Sequence, residues 1–181
     1  PAYTMTMPMQ KVMSGAFDSL SHCMETTFGA PRDGCVSDDL SYAVQRNIVR
    51  NMRVIKQDPN NMAARSELVY DSAVGENGVL KIGKQTDFQC HMIQHQYGAY
   101  TRWAREVWGV TETDDLAAAL AGVKALAAFI REMGLPTTFS ELGGAADDET
   151  LRAVANTAVI TPGCAKQLTR DEIFDLLIEC R

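Results

Sequence analysis

Histidine is scarce in this chain, at three residues in 181. Clustered positive charge is missing: the net charge is −6 and no Lys/Arg stripe stands out. A phosphate-binding face needs such a stripe, so nucleic acid is excluded as an expected partner. No apolar run approaches the length that spans a bilayer, and no signal-peptide pattern opens the sequence, so no membrane association is expected. Cysteine is sparse and odd in number: Cys23, Cys35, Cys90, Cys164 and Cys180, with no C-x-x-C. That excludes a disulfide framework and a cysteine-based zinc site, and reduced thiols in the cytoplasm are expected. No G-x-G-x-x-G occurs, and no alternating strand or hairpin signal survives a pass along the chain. The chain begins at Pro1 rather than Met, as a processed chain or a fragment would.

What is present is helical periodicity. A lead-in, 1–7, reads as extended. Pro8 suits a first helical turn, and Val12, Ala16, Leu20 and Met24 then recur every four residues up to a stop at Gly29. Ser37 reads as the cap of a second helix carrying Leu40, Ala43, Val44, Ile48, Met52 and Ile55. Asp58-Pro59-Asn60-Asn61 turns into a third, which the pattern carries through Gly75 and Gly78 to Gly83. A fourth reads as one long helix from Asp87 to Gly109, roughly 33 Å at the standard rise. Its aromatic end, Trp103 and Trp108, is expected to project from the bundle and to be covered by a partner subunit. Thr113-Asp114-Asp115 opens a fifth, with Leu116, Leu120, Val123, Ala127 and Ile130 on its apolar face. Asp147 opens a sixth, and Thr169 with Glu172 opens a seventh. The expectation is a single all-α domain, 1–181: a bundle of about seven helices without internal repeats.

The histidines are not scattered. His91 and His95 stand four apart, and His22 stands four after Asp18. On a helix, positions i and i+4 lie on one face. If the two helices meet, Asp18, His22, His91 and His95 point into one volume. Imidazole and carboxylate donors of that kind hold a divalent transition metal. A lone histidine is more often a hydrogen-bonded core or surface residue. Here all three fall into such pairings.

The segments Gly15-Ala16-Phe17-Asp18-Ser19-Leu20-Ser21-His22, Asn77-Gly78 and His91-Met92-Ile93-Gln94-His95-Gln96 resemble the C-terminal helical domain of the iron-containing alcohol dehydrogenases. So do Val107-Trp108-Gly109-Val110, Gly134-Leu135-Pro136-Thr137-Thr138, Ser140-Glu141-Leu142-Gly143 and Leu168-Thr169-Arg170-Asp171-Glu172. Together they run through nearly the whole chain in the family's order, nearest its butanol dehydrogenase-like branch. The resemblance implies the dehydroquinate synthase-like helical fold. It also implies one divalent metal, iron or zinc, held by one Asp and three His, and alcohol–aldehyde redox chemistry with NAD(P). By position, Asp18, His22 and His91 match three metal ligands, and His95 matches a histidine kept near the substrate.

The sequence departs from that pattern twice. It begins where the family's nucleotide-binding domain would end, so that domain is expected to be absent. The Pro-His-Gly turn that carries the fourth ligand is missing between Gly98 and Arg102. Two readings follow: a truncated, metal-holding remnant that is inactive alone, or a helical, oligomeric scaffold module with vestigial histidines. A homo-oligomer is the expected assembly, and a separate nucleotide-binding chain is a further expected partner.

Overall fold

The computed structural model describes residues 1–31, 34–86, 97–143, 146–160 and 167–181. Among them the chain forms seven α-helices: α1 (Met9–Phe28), α2 (Val36–Gln57), α3 (Met62–Glu76), α4 (Tyr97–Trp108), α5 (Asp115–Glu132), α6 (Asp148–Thr157) and α7 (Arg170–Glu179). The all-α expectation holds. α1 packs on α2 and α3, α4 lies between α2 and α5, and α6 pairs with α7. No helix among the described residues is long and apolar enough to cross a membrane.

The predicted caps are realised where a short polar side chain precedes the apolar pattern. Asn61, Asp114, Asp147 and Thr169 each accept a hydrogen bond from a backbone N–H in the first turn of the helix that follows. Such a cap satisfies one of the donors a helix start leaves unpaired. Three boundaries differ from the sequence reading. The lead-in is a 3-10 turn, Ala2–Thr6, rather than extended chain. α2 is capped by Cys35, two residues earlier than expected, with the Asp38 carboxylate accepting from the Cys35 N–H. α3 stops at Glu76 because Gly78, at φ +86°, turns the chain into a short 3-10 turn, Val79–Lys81.

The core runs through Leu20, Phe28, Ile48, Met52, Ile55, Leu80, Trp103 and Phe129. Its aromatic members form a chain from Tyr100 to Phe28 to Trp103 to Trp108 to Phe129, with ring centroids 4.4–5.9 Å apart. Trp103 is 1 % exposed, so the expectation of a projecting aromatic end is overturned. α5 of the same chain covers it. A Cβ at Gly122 would stand 2.5 Å from the Cβ of Ala104, which shows how closely α4 and α5 approach. The packed face of α5 is therefore Ala118, Ala119, Gly122 and Phe129, and Leu116 and Leu120 of the expected apolar stripe face outward.

Between α1, α2 and α4 lies a buried polar network that apolar periodicity did not reveal. Trp103 Nε1 donates to Gln45 Oε1 at 2.9 Å. Gln45 Nε2 donates to the Thr27 and Ser41 hydroxyls at 3.0 and 3.1 Å, and both hydroxyls reach the Cys23 carbonyl at 2.9 Å. Each of these side-chain polar atoms thus finds a partner, without which it would cost about 1–3 kcal/mol.

Asp71 on α3 is buried and accepts from Asn47 Nδ2, which also serves Glu67. Burial raises its carboxyl from 3.8 to about 6, and the neighbouring Glu67 adds to that effect. The folded state therefore holds this proton more tightly than the unfolded chain, and stability gains as pH falls through 6 towards 3.8. Asp71→Asn is expected to be more stable than wild type at pH 7.5 by about 1–2 kcal/mol, with the gap closing by pH 4–5. Urea unfolding at the two pH values measures this, and a gap that does not narrow would be the contrary result.

Candidate metal centre

Asp18 and His22 share one face of α1, as their spacing requires. His22 Nε2 is 3.8 Å from Asp18 Oδ1. A third group arrives from the last residue of α3: Glu76 Oε1 is 3.0 Å from the same His22 Nε2. One ligand atom from each of Asp18, His22 and Glu76 lies within 4.8 Å of the others. An imidazole nitrogen with two carboxylates is a donor set suited to a divalent first-row metal, so the residues present fit such an ion.

Gly75 brings Glu76 to this place. A Cβ at Gly75 would meet Cys23 Sγ at 3.4 Å and the Ser19 carbonyl oxygen at 3.5 Å, so the end of α3 lies directly against α1. On the far side of the imidazole, His22 Nδ1 is buried and lies 3.4 Å from Glu25 Oε2. Cys23 adjoins His22 in sequence but points into the core. Burial pushes its thiol up to about 12, with the Asp71 and Glu76 carboxylates adding to the rise, so it stays protonated.

The cluster is open to solvent: Asp18 is 73 % exposed at its side chain, Glu76 47 % and His22 27 %. It is separate from the groove between α1 and α3 that Val12, Gly15, Ile55 and Leu68 line, to which none of the three residues contributes.

A strap, 84–86, precedes the His91 segment in sequence. Gln85 bridges to Ala30, its N–H donating to the Ala30 carbonyl at 2.7 Å. Gly29 permits the approach, since a Cβ there would fall 1.9 Å from the Gln85 carbonyl oxygen. Lys84 Nζ reaches Asp38 Oδ1 at 2.7 Å and the Pro31 carbonyl at 2.8 Å. Both side chains of that ion pair are buried, at 0 % and 4 % exposure.

Of the residues expected at the site, Asp18 and His22 are brought together. His91 and His95 lie outside the described residues, as does the 87–96 part of the expected long helix. Its remaining part is helical without a break across Thr101 and Arg102. Glu25 and Glu76 were not expected. Glu25 stands three residues after His22, a spacing that places it on the same face of α1. Glu76 has no local signature, because a contact between positions 22 and 76 depends on how α1 and α3 pack.

The Fe-containing alcohol dehydrogenase family, C-terminal, is matched over residues 12–104, and the chain belongs to this family. It is 22% identical over 209 residues to the NADH-dependent butanol dehydrogenase A of Clostridium acetobutylicum, covering 97% of this chain and 54% of that protein. It is likewise 22% identical over 171 residues to the NADPH-dependent aldehyde reductase YqhD of Escherichia coli, covering 79% and 44%. The chain therefore spans about half the length of the curated relatives it matches. The matched span of 209 residues exceeds this chain's 181, so the clostridial protein carries internal residues that this chain lacks. In fold the chain resembles the substrate- and cofactor-free form of the E. coli aldehyde reductase. The TM-score is 0.83 at 20% identity, covering 99% of this chain and 55% of that one. It also resembles the NADH-dependent butanol dehydrogenase A of Thermotoga maritima, with TM-score 0.79 at 17% identity, covering 97% and 53%.

Proposed function

We propose that this chain is the metal-holding helical half of an NAD(P)-dependent oxidoreductase acting on alcohols and aldehydes. The observation that supports it is the Asp18–His22 pair on α1, solvent-accessible and side by side, in a member of this family. In this reading Asp18, His22 and His91 hold one divalent metal, iron or zinc, and His95 stands beside the substrate. When bound, the metal supplies Lewis-acid polarisation of the substrate oxygen. Glu25 Oε2 lies 3.4 Å from Nδ1 on the buried side of the ring, and Nε2 is on the open side. That open side is where a nucleotide-binding partner, in the same protein or a separate chain, would close over the substrate and exclude water.

A second reading draws on a different observation. Leu116 and Leu120 of α5 face outward, as they would in a helical oligomer whose histidines are vestigial. Equilibrium dialysis of the full chain against zinc or iron(II) separates the two. The metal reading expects one equivalent bound, with His22→Ala and His91→Ala each weakening it by at least about tenfold. Wild-type protein that binds no metal would favour the scaffold.

A further inference from the structure

We infer that Glu76 is a ligand of the metal held by Asp18 and His22, an inference that rests on the metal reading above. Both carboxylates converge on one atom: Glu76 Oε1 is 3.0 Å and Asp18 Oδ1 3.8 Å from His22 Nε2. A proton on Nε2 satisfies one acceptor, and at these distances that is Glu76. A cation seated among the three atoms satisfies all of them, since their mutual separations do not exceed 4.8 Å.

The other ring nitrogen points the same way. Nδ1 is buried and faces Glu25 Oε2 at 3.4 Å. Nδ1 makes no hydrogen bond there, and its burial leaves Nε2 as the ring nitrogen on the side of Asp18 and Glu76. Two carboxylates with a neutral imidazole also balance the charge of a divalent ion.

The placement of Glu76 is firm. It is the last residue of α3, Gly75 seats that end of the helix against α1, and Gly78 turns the following chain away. Ligands carried on packed helices are held more accurately than ligands on loops.

The test is a zinc titration of the full chain against a chromophoric chelator, with cobalt(II) as a spectroscopic substitute. Glu76→Gln is expected to raise the dissociation constant by at least about tenfold. Glu149→Gln, an exposed carboxylate at the start of α6, should leave it unchanged. Glu76→His keeps a donor at the position and should retain binding while shifting the cobalt d–d bands. If Glu76→Gln binds zinc as wild type does while His22→Ala does not, the inference is overturned and the metal reading stands. Equal loss in Glu76→Gln and Glu76→His would make the residue structural and also overturn it. If wild type and His22→Ala bind alike, the metal reading fails and this inference falls with it.

Discussion

Metal-loaded chain mixed with butanol or butyraldehyde and either NAD or NADP is expected to give no turnover above the protein-free rate. Hydride transfer requires the nicotinamide carbon to be held in near-contact with the substrate carbon. Such positioning is worth roughly 7–11 kcal/mol, or about five to eight orders of magnitude in rate. The 181 residues contain no G-x-G-x-x-G, and the described residues contain no strand on which a dinucleotide-binding crossover is built. A spectrophotometric assay at 340 nm checks this. Turnover that vanishes in His91→Ala would contradict it and would require a nicotinamide site built from helices.

Lys84→Met is expected to destabilise the fold by about 3–5 kcal/mol, the cost of leaving one partner of a buried ion pair uncompensated. Lys84 Nζ lies against the Asp38 carboxylate and the Pro31 carbonyl, and its side chain is fully buried. Without it, Asp38 keeps the 3.3 Å contact from the Cys35 N–H, which is too little for a desolvated carboxylate. The double variant Lys84→Met with Asp38→Asn removes both charges while keeping an acceptor for the α2 cap, and should recover at least half of the loss. Urea denaturation of the three proteins measures it. A single variant within about 1 kcal/mol of wild type would show that water screens this pair as it does surface pairs. The same lysine anchors the strap that precedes the His91 segment in sequence, so the single variant should bind zinc more weakly as well.

The helices were legible because their signals are local. Asn61, Asp114, Asp147 and Thr169 cap the helices they precede, and the four-residue recurrence of Ala16, Leu20 and Met24 gives the buried side of α1. Asp18 and His22 were legible for the same reason. The faces of α2 and α5 were less so. Periodicity counts apolar side chains, whereas the first turns of α2 bury Ser41 and Gln45 against the Trp103 indole and leave Leu40 outside. α5 turns its small residues inward because Gly122 lets it approach Ala104, and Leu116 and Leu120 are left outward. The C-terminus of α3 was misplaced because apolar residues continue past Gly78 to Leu80, although the positive φ at Gly78 ends the helix. That misplacement hid Glu76, whose contact with His22 is set by packing between distant segments.

The most direct test of the metal centre is an anomalous difference map from crystals of the full chain grown with zinc and recorded at the zinc edge. The expected result is a peak bonded to Asp18 and His22 at about 2.0–2.2 Å, with a nitrogen of His91 also in its coordination sphere. Saturating zinc with no peak between Asp18 and His22, or a peak there with His91 remote from it, would contradict the ligand set proposed for this chain.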